Sequence, residues 1–526
     1  WTYHHMATKA ISDVQGFSIK TQGFAGGVNL RDAWPQLGPN EARVLENCVL
    51  DERGGASKRL GSSSRGTFGS AADRIISMYT YNRGTNAPQV LIHTTAGILY
   101  YTNDPTAATV TWTVIASGLS TTVPMSFETF AGNCYFCNGV DAYAKWDGST
   151  YTTFPSAPKG KYLRLWKDTM FLSGVTGLND RLYESAAGDA ETWPVASWID
   201  IGKGDGDVCT GLGSDGFSLI FFKLRRHMAV TDPVTLTNRV VDFEKGCESH
   251  FSVIQFENYV YFLGRRGIYR YLGDSPSEPV SNLLDPLFDP AILNLNALSS
   301  AWAYTIGNRV GWALPETGQS RPTVMVEYYP RLGTLSPYGI RAIGPWAFMR
   351  YPAQVFAKYR WQTTDILLGG APSSNKMMWL LYPVGTDDGA TFTAVVETGA
   401  FDFGVPTRTK YIRRIRVLLR GDVVMQLRKN FGTAIVDTRN VFASASTDLW
   451  SLSDLWGVGS WGPDSIFKEV LVNIDRYARY FSLRFSDTST NYGNKLVEVG
   501  SVEYRLDAGE WGIYQIVIDG NVLGLR

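Results

Sequence analysis

The feature that most constrains this chain is a recurrence: short apolar runs return at intervals, each followed by a turn and a second run carrying tyrosine or tryptophan. The leading runs are Gln89-Val-Leu-Ile-His93, Cys134-Tyr-Phe-Cys137, Met170-Phe-Leu172, Leu219-Ile-Phe-Phe222, Val260-Tyr-Phe-Leu263, Val310-Gly-Trp-Ala-Leu314 and Ile366-Leu-Leu368, their starts 36 to 56 residues apart. Partner runs include Ile98-Leu-Tyr-Tyr101, Tyr143-Ala-Lys-Trp146, Leu182-Tyr183, Ile268-Tyr-Arg-Tyr271 and Trp379-Leu-Leu381. Runs of β-branched and aromatic residues bounded by Gly, Asn, Asp and Ser read as strands, and helical periodicity is nearly absent. The spacing suits a four-stranded blade. Such a blade cannot bury both faces alone, so stacking about six or seven around an axis is the economical arrangement. The expected fold class is therefore all-β, with a degenerate β-propeller over residues 71–396. The Gly-His…Trp-Asp signature of WD40 repeats is absent.

Both flanks differ in texture from the repeats. Residues 1–70 are dense in Gly, Ser and Asn, including Phe24-Ala-Gly-Gly27 and Gly61-Ser-Ser-Ser64, and read as an extended N-terminal arm that docks elsewhere. Residues 397–526 show longer alternating strands, Tyr411 to Leu419, Val423 to Leu427, Tyr480 to Phe485 and Val497 to Tyr504, as expected of a C-terminal antiparallel β-sandwich. Within Arg414-Ile-Arg-Val-Leu-Leu-Arg420 the alternation assigns Ile415, Val417 and Leu419 to a buried face and Arg414, Arg416 and Arg420 to a wet one. From Met6 onward the opening is polar, and no later apolar run approaches the ~18 residues of a membrane span. A soluble chain made in a cytoplasm is expected, with Trp1 to His5 left outside the fold argument.

The charges argue against a global electrostatic role. The 49 basic and 49 acidic residues cancel, so contact with nucleic acid or an anionic membrane has to be local. The densest basic run is Lys410, Arg413, Arg414, Arg416, Arg420, Arg428 and Lys429. Of these, Arg414, Arg416 and Arg420 are the candidates for touching DNA in a channel or an acidic neighbouring subunit; the competing reading is a solvated sheet face. Trp450, Trp456 and Trp461 lie in a lightly charged loop that either packs on the sandwich or forms an exposed aromatic tip for a partner or a membrane.

Motifs for bond chemistry are weak. Gly457-Val-Gly-Ser-Trp-Gly462 has the spacing of a dinucleotide loop, but Pro463 and Asp464 follow where a helix should begin. Cys134 and Cys137 sit in an apolar strand, where they face opposite ways, and with Cys48, Cys209 and Cys247 they read as reduced core residues. The histidines, His4, His5, His93, His227 and His250, share no metal-ligand spacing, and neither a nucleophile elbow nor a phosphate loop occurs. Asp205-Gly-Asp207, Asp215 and Asp387-Asp388-Gly389 could serve calcium loops or acid/base work, yet Asp in Gly-rich turns is expected simply to cap local backbone. Trp146-Asp-Gly-Ser-Thr150 is at most a fragment of a sialidase Asp box. No catalytic, cofactor-binding or metal residue is assigned, and no cofactor is expected.

Four segments, taken in order, resemble the tail-nozzle family of short-tailed bacteriophages, also called tail tubular protein B, and the related packaged-DNA-stabilisation (head-completion) proteins. They are Phe24-Ala-Gly-Gly27 with Leu45-Glu-Asn47 and Gly54…Lys58-Arg59-Leu60-Gly61; Gly267-Ile-Tyr-Arg-Tyr271 with Pro279-Val-Ser281; Met325-Val-Glu-Tyr-Tyr329 with Gly344-Pro-Trp346; and Glu397-Thr-Gly399, Phe401-Asp-Phe-Gly404 and Lys410 with its arginines. The resemblance spans about Gly23 to Tyr504. It implies a non-enzymatic structural subunit of the virion, assembled in the host cytoplasm as a sixfold homo-oligomeric ring below the portal and adaptor. Such a ring encloses the channel for double-stranded DNA, retains the genome until ejection and carries fibres, spikes or a needle. The family offers no catalytic residues to carry over. Two other readings stay open: a hub or minor tail protein of a long-tailed phage, and a glycan-binding propeller that recognises the host envelope. Carboxylates converging among exposed aromatics in the central pocket would favour the last; a pocket of Gly, Ser and apolar residues would count against it.

Overall fold

The computed structural model describes residues 15–522 apart from 22, 52–53, 85, 233–234, 274–275, 334–342, 433, 443–467, 488–494, 500–501 and 507–511. The chain is all-β, with helical turns among the described residues confined to short 3-10 segments such as Asn282–Phe288. It divides into a central unit, residues 60–344 and 348–390, and a terminal unit, residues 1–59, 345–347 and 391–526.

The central unit is propeller-like. Its first sheet runs Ile75–Arg83, Asn86–Thr94, Leu99–Thr102 and Thr113–Ala116 in antiparallel succession, and the pattern returns in sheets whose first strands are Ser126–Phe130, Tyr162–Trp166, Cys209–Ser214, Ile254–Phe256, Trp302–Ile306 and Val355–Trp361. Every apolar run that anchored the sequence repeat is the second strand of its sheet. The physical reason is two-sided burial: a second strand has a strand on each side and a neighbouring sheet on each face, so its side chains avoid water in both directions. Leu219–Lys223 is buried at every position. Alternate residues then serve alternate interfaces: Cys134 and Phe136 pack with Tyr81, Leu91 and Phe127 between the first and second sheets. Tyr135 and Cys137 pack with Leu163 and Leu172 between the second and third. The two cysteines of the CxxC spacing thus lie in different cores, as expected of a strand.

The first strands also close a cycle. Ile75–Arg83 packs on Ser126–Phe130, which packs on Tyr162–Trp166, which packs on Cys209–Ser214. The turn His250–Ser252 links that strand to the fifth sheet; Ile254–Phe256, Trp302–Ile306 and Val355–Trp361 follow, and the last returns to Ile75–Arg83. The seventh sheet is completed by the segment Gly61–Thr67, whose Ser62, Ser63 and Ser64 pair with Leu380, Trp379 and Met378. Closing the ring with a strand from the other end of the sequence removes the edge that would otherwise invite aggregation. Gly61-Ser-Ser-Ser64, read from sequence as part of a docking arm, is therefore a strand within its own chain.

Among the described residues the terminal unit contains two larger, mainly antiparallel sheets and one separate two-stranded pair. One orders Cys48–Leu50, Ala56–Lys58, Gly512–Val522, Lys410–Arg420 and Lys468–Ala478, with Gln15–Thr21 also paired to Gly512–Val522. The other runs Glu41–Glu46, Val395–Thr398, Phe481–Asp487, Asp422–Lys429 and Ile435–Phe442. Residues 15–59, expected to form an extended arm, supply strands to both. Local sequence does not reveal this, because Glu41–Glu46 finds its partner Val395–Thr398 some 350 residues away. A compact unit therefore begins at Thr391, and its companion segment ends at Arg59, rather than the boundaries falling at 397 and 70. The stretch from Val497 to Tyr504, expected as one strand, belongs to two, Lys495–Val499 and Val502–Leu506, which pair antiparallel with each other.

Candidate functional site

The basic strand Lys410–Arg420 has the two faces expected of it. Ile415, Val417 and Leu419 are fully buried. Ile412 joins them despite the odd spacing because a bulge between Ile412 and Arg414 shifts the register. On the other face the arginines are engaged by their own sheet. Arg414 Nε lies 3.2 Å from Asp519 Oδ2. Arg416 reaches the same carboxylate at 3.4 Å and Glu469 at 3.6 Å. Arg420 pairs through its backbone with Gly512. Lys410 is buried and donates from Nζ to the carbonyls of Val405 and Arg479, at 2.5 and 2.8 Å. Burial holds its pKa below the usual lysine range. The run is thus less cationic than it reads, two of its arginines sharing Asp519. Trp450, Trp456 and Trp461, with the Gly457…Gly462 spacing, lie outside the described residues.

Deeper charges in the terminal unit were invisible to sequence reasoning. Glu397, 2% exposed, accepts from Arg428 at 2.8 Å and Arg484 at 3.3 Å, with Arg43 at 3.7 Å. Lys58 pairs with Asp487 at 3.2 Å, both nearly buried. Asn47 accepts from Arg59 Nε at 3.0 Å and donates to the carbonyl of Thr393 at 2.8 Å. Through them Asn47 and Lys58 of the first ordered segment are tied to Thr393 and Asp487. Gly27, in the first, takes φ +67°, where a Cβ would stand 2.5 Å from the backbone nitrogen of Trp346. The third segment supplies another buried carboxylate: Glu327 is fully enclosed, with Arg309 at 2.9 Å, Tyr304 Oη at 3.0 Å and Tyr351 Oη at 2.9 Å.

The turn carboxylates are occupied locally. Asp205 accepts from Lys223 at 2.9 Å, and Lys223, fully buried, also reaches Asp180 at 2.7 Å. Asp207 takes the backbone N–H of Arg225, and Asp215 those of Phe217 and Ser218. Asp388 pairs with Lys376 at 2.7 Å, and Asp387 accepts from Ser62. Asp147, in the Asp-box-like stretch, accepts from the N–H groups of Ser149 and Thr150 at 2.8 and 2.7 Å. The central-unit histidines are core residues. His250 bridges Ser126 Oγ at 2.9 Å and the Leu212 N–H at 3.3 Å; burial, with the nearby Arg164 charge, pushes its pKa down to about 3. His227 bridges the Lys245 carbonyl and Ser277 Oγ, and burial lowers its pKa to about 4.

A recess of about 300 Å³ opens where the first strands of the central unit begin. Ile75, Trp302 and Val355 start three of those strands; Phe251, Ser320 and Arg321 come from intervening loops. Among the described residues none of its lining is Asp, Glu, His or Cys.

No protein-family model matches the chain, and no curated protein matches it in sequence. Among solved structures it is similar to the extracellular domain of a putative one-component system from B. thetaiotaomicron, with a TM-score of 0.39 and 9% identity over 61% of this chain and 39% of that one. It is also similar to BamB from Moraxella catarrhalis, with a TM-score of 0.37 and 13% identity over 70% of this chain and 97% of that one.

The sequence thus located the basic strand and the turn aspartates but missed the recess and the buried ion centres. A signal did exist for one of them: Glu327 stands in the otherwise apolar and aromatic run Met325-Val-Glu-Tyr-Tyr329, where an acid has to find a buried cation.

Proposed function

We propose that this chain is a non-enzymatic structural subunit of a bacteriophage tail, a seven-bladed propeller joined to a β-sandwich, working as one member of a homo-oligomeric ring below the portal and adaptor. The observation that carries the reading is the axial recess. It is a concave site where the first strands of the central unit begin, and it is lined by serine, threonine, glutamine, arginine and apolar side chains, without a carboxylate or histidine among the described residues. The carboxylates weighed for chemistry cap turns or neutralise lysines instead. The ordered resemblance supplies the viral address, and Asn47 of its first segment, held by Arg59, donates to the Thr393 carbonyl just before its fourth, which suits a scaffold role. In this reading the wet face of Lys410–Arg420 lies toward DNA or an acidic neighbour, the ring retains the genome until ejection, and fibres, spikes or a needle attach to it.

Native mass spectrometry of the full chain, together with imaging of the particle that contains it, tests the proposal. A ring-sized oligomer located at the portal-proximal tail is expected. A stable monomer absent from virions would sink it, and placement in a long-tailed particle would replace nozzle with hub.

A further inference from the structure

The recess carries a second, independent message, because its charge is unbalanced. Arg321 lines it from the loop between the second and third strands of the sixth sheet, and Arg74 immediately precedes the first strand of the first. Among the described residues no carboxylate stands within ion-pair distance of either. Several other partly buried arginines of the central unit are matched: Arg309 has Glu327, Arg270 has Glu278 at 2.8 Å, and Arg350 grips both oxygens of Glu316 at 2.7 and 2.9 Å. Burial, and then the like charge of Arg74, holds the Arg321 guanidinium below its usual pKa, so the two cations feel each other. The Nε of Arg74 is buried without a hydrogen-bond partner. Arg321 is the one guanidinium that lines the recess, with the Arg74 charge close beside it, and a guanidinium without a carboxylate is suited to a planar oxyanion.

The rest of the lining suits the body of a small polar ligand. Thr122, Ser299 and Ser320, exposed residues, line the recess and have no hydroxyl partner among the described residues, while Ser300 Oγ is committed to the Ala297 carbonyl at 2.7 Å. Phe251 and Trp302 stack face to face, centroids 4.4 Å apart and planes 4° from parallel, giving the recess an aromatic wall. A volume of about 300 Å³ sits at the lower end of the range for small-molecule sites. It admits one sugar-sized body and excludes a nucleic-acid duplex.

We propose that this recess binds a monosaccharide-sized, hydroxyl-rich ligand bearing a single oxyanion, with Arg321 and Arg74 holding the anion and the serine and threonine hydroxyls reading the ring. The proposal does not depend on the viral reading, since it rests on the recess alone.

Calorimetric titration of the full chain with glucuronate, glucose 6-phosphate and glucose tests it. Saturable one-to-one binding of at least one of the two anionic sugars is expected, with glucose weaker by about tenfold or more. Glucuronate alone binding identifies a carboxylate ligand, and glucose 6-phosphate alone a phosphate ligand. Arg321→Gln and Arg74→Gln should each weaken binding by about tenfold or more, while Arg360→Gln, an exposed cation on the seventh sheet, should leave it unchanged. The absence of saturation by either anion up to about 10 mM overturns the proposal, as does equal binding of glucose or an Arg321→Gln chain that binds like the parent. Because the sugar series is read on the unmodified chain, failure of a variant to fold does not rescue the idea.

Discussion

The two units solve the same problem, an all-β chain with abundant sheet, by different means. Among the described residues of the central unit most strands pair with a sequence neighbour, and apolar layers lie between successive sheets; Gly61–Thr67 comes from far away. In the terminal unit strands from both ends of the chain interleave, and buried ion pairs sit among them. Local pairing lets an apolar repeat specify a fold, and buried ion pairs such as Lys223–Asp180 and Arg309–Glu327 are added to it. Non-local pairing brings together strands whose faces were never matched by proximity, and there charge complementarity between Glu397 and its arginines, or Lys58 and Asp487, selects the register. The role in specificity follows from the cost of error, because a buried carboxylate without its cations is strongly disfavoured.

The largest expected effect tests that contrast. Glu397→Ala removes the shared acceptor of Arg428 and Arg484 and should destabilise the terminal unit by about 3–5 kcal/mol. Hydrogen exchange read by mass spectrometry should show protection lost in Glu41–Glu46, Val395–Thr398 and Phe481–Asp487 while Asn133–Cys137 and Thr169–Val175 stay protected. Equal loss in both regions would mean that the units do not differ in the way described.

The converse substitution belongs in the central unit. Leu172→Ala opens a cavity between the second and third sheets, where Leu172 is fully buried beside Leu163 and Tyr135. It should cost about 3 kcal/mol by denaturant titration. A cost below about 1 kcal/mol would show that the inter-sheet layer is loosely packed and that the apolar repeat is not what holds this unit.

The same contrast explains what could be read from the sequence. The seven second strands were legible because two-sided burial forces an unbroken apolar run, and a repeated run implies stacked sheets. The faces of Arg414–Arg420 were legible because period-2 alternation survives locally. Gly61–Thr67 was not: a Gly- and Ser-rich stretch gains its strand conformation from Lys376–Tyr382, more than 300 residues on. Glu397 was noticed as part of a family-like segment but not as an ion centre, since Arg43, Arg428 and Arg484 arrive from three different strands. The axial recess was illegible because its lining is assembled from the ends of strands and loops of several sheets.

Acid should discriminate the units next, since the described histidines all lie in the central one. His93, His227 and His250 have pKa values lowered to about 4, about 4 and about 3, chiefly by burial. An unfolded histidine titrates near 6.5, so between about pH 6.5 and 4 the unfolded chain binds more protons than the folded one. Stability of the central unit should therefore fall as pH falls through that window. Neither ring nitrogen of His93 reaches a partner at hydrogen-bonding geometry. His93→Leu should accordingly cost little at pH 7 and flatten the fall by up to about 1.4 kcal/mol per pH unit. Thermal melts of both chains from pH 7.5 to 4.5 decide this; superimposable slopes would show that His93 charges in the folded state without penalty.

The smallest effect concerns a turn, and it separates backbone capping from sugar chemistry. Asp147 lies in the hairpin between the third and fourth strands of the second sheet, its carboxylate taking two backbone N–H groups and the Ser149 hydroxyl. Those hydrogen bonds hold its pKa below the ordinary aspartate value against a burial contribution that would raise it. Asp147→Asn keeps an acceptor oxygen at the same place, whereas Asp147→Ala removes it, so the alanine chain should lose about 1 kcal/mol and the asparagine chain less. Neither should alter binding of an anionic sugar at the recess, because Asp147 caps an outer hairpin and does not line that site. If Asp147→Ala abolished sugar binding at unchanged stability, the Asp-box-like stretch would have to be treated as a ligand site in its own right, and the separation drawn between a structural turn and a binding recess would fail.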